Sequence, residues 1–123
     1  MDQGSLVAVG KVILDGLQAE KSSVDAALWV RDTWEDPWQL WLAPKTFKGR
    51  HDFFVVLANV LTRYRVQTGN FEISNVRLIE PNSPFLAELK RYGRVRPDRP
   101  VVLQSDYIGG YYIKEGLLLL QDV

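Results

Sequence analysis

The chain has 123 residues, no cysteine, 15 basic and 15 acidic side chains, and an apolar fraction of 46%. That length suits one domain, residues 1–123, able to bury about two thirds of its unfolded surface, and the lack of cysteine excludes disulfides, thiolate metal sites and cysteine nucleophiles. Balanced charge argues against a general nucleic-acid binder, which carries a basic excess, although a local patch can sit inside a neutral total.

In chain order, Leu6, Val9, Ile13 and Leu17 recur at helical spacing and predict an amphipathic helix over 5–20 with Ser5 as its cap. Gly10 and Gly16 weaken it by roughly 1 kcal/mol each relative to alanine, so packing must support it. The apolar run Leu6 to Leu14 is interrupted by Gly10 and Lys11 and lacks a cleavage signature. No membrane partner and a cytoplasmic setting are therefore expected.

All four tryptophans fall next, within one short stretch. Residues 26–32 and 38–43 alternate as strands around the polar connection Thr33 to Pro37, which reads as a β-hairpin. A five-residue loop sets Leu28 opposite Leu42, Val30 opposite Leu40 and Trp29 opposite Trp41. Both faces of the hairpin are then apolar, with Arg31 near enough to the tryptophans for a cation–π contact. Something must cover the second face: either a helix of the same chain, or a partner that uses Trp29, Arg31 and Trp41 as its binding surface.

Residues 44–49 read as a loop, and residues 51–65 as a helix with Phe54, Leu57, Val60, Leu61 and Tyr64 on one stripe. The Leu28, Val30, Leu40, Leu42 face is expected to pack on that helix through Phe54, Leu57 and Leu61. After a turn at Gly69-Asn70, residues 71–80 read as a strand that slips phase near Ser74-Asn75, a sign of a bulge. Ser83 and Pro84 start a short helix that Gly93 stops. Residues 101–104 and 111–121 make the last strands, joined by a turn around Ile108 to Gly110. The expected fold class is a two-layer α+β domain with a mainly antiparallel sheet of about five strands, in the order αββαβαββ.

Chemistry-bearing groups are sparse. His51, the only histidine, stands beside Asp52 and near Arg50 and Lys48. Neighbouring helix residues point about 100° apart, so Asp52 is poorly placed to steer it as a base. Asp32, Glu35 and Asp36 lack the spacing of a calcium loop, and Gly109-Gly110 lacks the phosphate-loop consensus. Neither a catalytic constellation nor a metal or cofactor site is expected. The densest charge is Lys90, Arg91, Arg94, Arg96 and Arg99, a set able to grip an anionic partner. If that segment and a strand bearing Tyr107, Tyr111 or Tyr112 face the same way, they form a surface for single-stranded nucleic acid.

The segments Ala-Leu-Trp-Val-Arg-Asp, Trp-Gln-Leu-Trp-Leu-Ala-Pro, Ile-Glu-Pro-Asn-Ser-Pro-Phe-Leu and Ile-Gly-Gly-Tyr-Tyr-Ile-Lys-Glu-Gly together make the chain resemble small bacterial α+β proteins of unassigned function over residues 26–120. The resemblance implies a bacterial or phage origin and an accessory, non-enzymatic character, and it carries over no functional residue. The expected function is thus an interaction module that binds another macromolecule, a protein partner or a second copy of itself as a homodimer, through the tryptophan-rich hairpin. The alternative is a nucleic-acid-binding accessory protein that uses the Lys90–Arg99 segment.

Overall fold

A computed structural model describes residues 1–46 and 49–123. The helices are α1 (Gln3–Ala19), α2 (Arg50–Arg63), α3 (Arg65–Thr68) and α4 (Pro84–Leu89). The strands are β1 (Val24–Arg31), β2 (Gln39–Pro44), β3 (Val76–Leu78), β4 (Val101–Ile108) and β5 (Tyr111–Gln121). They form one α+β fold around a five-stranded sheet in the order β3-β2-β1-β5-β4, antiparallel throughout except for the β2–β3 pair.

Helix α1 begins earlier than its apolar spacing suggests. Asp2, not Ser5, is the cap: its carboxylate accepts the Ser5 N–H at 2.8 Å, satisfying an amide that the helix itself leaves free.

The hairpin register departs from expectation by one residue. Asp36 N–H donates to the Thr33 carbonyl at 3.1 Å, and Thr33 N–H donates to the Asp36 carboxylate at 3.2 Å. The connection therefore closes on a four-residue turn, Thr33 to Asp36, rather than on five residues ending at Pro37. Leu28 consequently lies opposite Trp41, and Trp29 opposite Leu40. Because side chains alternate with period 2, a slip of one residue sends a whole strand to the other face. Trp29 and Trp41 are not a pair; they point to opposite sides of the sheet.

Each side has its own core. On the first, α1 and α2 cover Ala27, Trp29, Leu40, Leu42, Leu117 and Leu119, with Phe53, Leu57, Val60 and Leu61 supplied by α2. On the second, Ala26, Leu28, Val30, Trp41, Leu103, Ile113 and Leu118 meet Phe85, Leu86 and Leu89 of α4. The expected packing of the hairpin on the long helix thus holds for Leu40 and Leu42, whereas Leu28 and Val30 turn to α4. A two-layer arrangement describes the α1–α2 side, and α4 adds a thinner third layer. Central β1 is buried along most of its length, which explains why both faces of the hairpin read as apolar.

Two other segments differ from their periodicity. The expected strand 71–80 is interrupted by a 3₁₀ turn, Ile73–Asn75, at the position where the phase slips, and only Val76–Leu78 pairs, in parallel, with β2. Strand β4 runs four residues past Gln104. Ser105 has φ +53°, so the inward side switches there, and Leu103 and Ile108 both enter the α4-side core. The Gly109-Gly110 turn that follows has φ of +55° and +87°, conformations open to glycine and costly for other residues.

Candidate functional site

The surface expected from Trp29, Arg31 and Trp41 does not exist as such. Trp29 is fully buried, donates its indole N–H to the Leu6 carbonyl of α1 at 2.9 Å, and meets Phe71 edge-on at 5.2 Å between ring centroids. Trp41 is 6% exposed and packs on Phe85 and Tyr111. Arg31 is engaged within the chain: it forms a two-pronged pair with Glu115 at 2.8 and 3.2 Å, lies 4.4 Å over the Trp38 ring and donates to the Trp34 carbonyl. The register is the physical cause, since it directs each tryptophan towards a helix of its own chain. Trp34, at the hairpin turn, is the exposed member of the four at 77%.

The basic segment is partly neutralised. Arg94 and Arg96 both reach Asp122, at 3.4 and 3.3 Å, and Arg91 stands 3.8 Å from Glu88. Arg91 also donates to Tyr92 Oη at 2.9 Å and to the Tyr107 carbonyl at 3.0 Å. The Tyr92 hydrogen bond, aided by Tyr92 and Glu88 charge, holds the Arg91 pKa above its ordinary value. Lys90 and Arg99 are exposed, and no carboxylate pairs with them among the described residues. Of this segment, Arg91 reaches the tyrosine-bearing strand, whereas Arg94 and Arg96 are held at Asp122, past the far end of β5.

His51 is exposed on the first turn of α2 beside exposed Asp52, while Lys48 falls outside the described residues. Among the described residues no group of three or more His, Asp or Glu side chains could hold a metal ion.

Two assemblies rest on pairings that sequence reasoning does not make, although it names Tyr107, Tyr111 and Tyr112 as candidates. The first is at the tip of the β4–β5 hairpin, where Tyr107 and Tyr112 lie directly opposite each other with ring centroids 4.9 Å apart. Tyr107 is 68% exposed and Tyr112 45%, an unusual display of aromatic area for a domain with two well-covered cores. Tyrosines flanking a two-glycine turn were the available signal, but the expected strand ended at Gln104. The second is a clamp that runs from the edge strand β3 to the start of β5, beside that same hairpin tip. Arg77 of β3 is set beside Trp41 by the parallel register, and its guanidinium lies 4.8 Å from the Trp41 ring and 5.0 Å from the Tyr111 ring. No local sequence signal joins residues so far apart in the chain. No family model, no curated protein and no solved structure matches this chain.

Proposed function

We propose that this protein is a non-enzymatic interaction module that binds another macromolecule through the tip of the β4–β5 hairpin, with a protein partner or a second copy of the chain as the primary reading. The observation that carries the reading is the exposed Tyr107–Tyr112 pair, its rings 4.9 Å apart and tilted at 53°. Tyrosine offers a large rigid face with a polar end at low entropic cost, the quality that makes it common at the centres of interfaces. The tyrosine pair takes the role expected of Trp29 and Trp41. The same reading places the module in a bacterial cytoplasm, which the sequence resemblance implies and which a cysteine-free chain suits. No helix among the described residues is long and apolar enough to cross a membrane.

One contact favours a second reading, a nucleic-acid partner: Arg91 bonded to the Tyr107 carbonyl sets a cation beside the tyrosine rings. Salt separates the two, because phosphate binding weakens steeply as salt rises while aromatic burial does not.

A photo-crosslinking amino acid placed at position 107 tests the module directly, with the same group at exposed position 66 as control. A discrete adduct from position 107, absent from 66 and lost in a Tyr112→Ser background, is the expected result. Equal labelling at both positions, or none at 107, contradicts the reading.

A further inference from the structure

The Arg77 clamp forms one wall of a cleft that runs from β3 to α4 and the start of β5. Trp41, Arg50, Arg77, Glu80, Phe85 and Tyr111 are among the residues that line it, around a volume of about 270 Å³. At roughly 30 Å³ per water molecule, that space holds a compact ligand of a few functional groups rather than a chain segment.

Its charge is not balanced from within. Arg77 donates from Nη2 to Tyr111 Oη at 3.0 Å, and among the described residues no carboxylate comes within ion-pair distance of it. Arg50 has only a loose partner, Glu80 at 4.0 Å, with both side chains about two thirds exposed. Two guanidinium groups thus face one carboxylate.

The guanidinium of Arg77 is also held in place. The Trp41 and Tyr111 rings, nearly perpendicular with centroids 5.7 Å apart, form a corner against which the guanidinium lies at 4.8 and 5.0 Å; this contact and the bond to Tyr111 Oη restrict its rotamers, so a ligand that meets its free N–H edge has less to order. The edge left free is open to a charge-assisted bond with an oxyanion, which is stronger than a neutral hydrogen bond. A planar fork of donors matches the paired oxygens of a carboxylate or phosphate; a lysine at this place would not.

We propose that the cleft between β3, α4 and the β5 start binds the oxyanionic group of a small ligand, a phosphate ester or a carboxylate, through Arg77 with Arg50 as the second cation. Tyr111 of this cleft adjoins Tyr112 in the chain, but neither Tyr107 nor Tyr112 lines it, so either reading can fail without the other.

Phenyl phosphate and benzoate are suitable probes, titrated separately into the full chain and followed by NMR through the Trp41 indole and Arg77 Nε–H signals. The arms distinguish a phosphate ester from a carboxylate as the preferred group. Saturable shifts centred on these two signals are expected for at least one probe, with affinity about tenfold lower or worse in Arg77→Met and several-fold lower in Arg50→Met. Both variants replace exposed side chains, and the map on the wild-type chain stands even if one of them folds poorly. Shifts centred elsewhere, binding that is indifferent to Arg77→Met, or no saturable binding of either probe at millimolar concentration would each overturn the proposal.

Discussion

Gly10 and Gly16 look like weak points in α1 when only helix propensity is considered, yet each marks a place where the helix approaches its neighbours closely. A Cβ at Gly16 would stand 2.6 Å from Val60 Cγ1 and 3.3 Å from Tyr64 Cε2. Val60 is buried and β-branched, so it has little room to turn. Overpacking of this kind costs about 1–3 kcal/mol, against a propensity gain of about 1 kcal/mol for alanine. Gly16→Ala is therefore expected to lower stability in urea titration, whereas Gly4→Ala, whose nearest neighbour would be Asp2 Oδ1 at 3.5 Å, is expected to raise it. A stabilised Gly16→Ala would show that α1 does not seat on α2 at this point. Leu57, fully buried under Leu40 and Leu42, is expected to cost about 2–5 kcal/mol when cut to alanine. A loss below about 1 kcal/mol would remove α2 from that core.

At the scale of elements, the start of α1 carries a pH dependence with a defined sign. The hydrogen bond from Ser5 N–H, followed by that of the Ser5 side chain, lowers the Asp2 pKa below its ordinary 3.8. A depressed folded value means that the charged cap contributes above pH 3.8 and is lost as pH falls through the lowered value. The Ser5 amide shift is expected to titrate with a midpoint below 3.8; a midpoint at or above it would show that Asp2 does not cap the helix.

Most elements were legible in the sequence because their signals are local. The Ser83-Pro84 start and Gly93 stop of α4 are short-range chemistry, and Ser83 does accept the Leu86 N–H. The hairpin was legible as an element but not in its register. Asp36, rather than Pro37, closes the turn through a pair of hydrogen bonds that composition alone does not reveal. That single residue decided the candidate site, since it moved Trp29 under α1 and Trp41 under α4. The Arg77 clamp depends on a parallel β2–β3 pairing, and the tyrosine pair on a strand carried past Ser105. Neither leaves a mark in hydrophobic periodicity.

For the whole molecule, the consequence is a sheet covered on both faces by its own chain. Trp29 and Trp41 need no second subunit to leave water, and the β4–β5 tip and the cleft beside β3 are among the surfaces left open. Replacing Tyr107 and Tyr112 together with serine is expected to change stability by less than about 1 kcal/mol, as for exposed positions in general, while removing partner capture. A large loss of stability would make the pair structural.

Hydrogen exchange of the four indole N–H groups, followed by NMR at a concentration where light scattering reads the mass of one chain, tests the separation of the tryptophans most directly. Trp34 is expected to exchange at once, and Trp29, bonded to the Leu6 carbonyl, only on opening of the α1 core. Trp29 is also expected to show contacts to α1, and Trp41 to Phe85. Rapid exchange of Trp29 together with Trp41, or a direct cross-strand contact between their rings, would restore the shared face and contradict the register on which the two cores and both candidate surfaces depend.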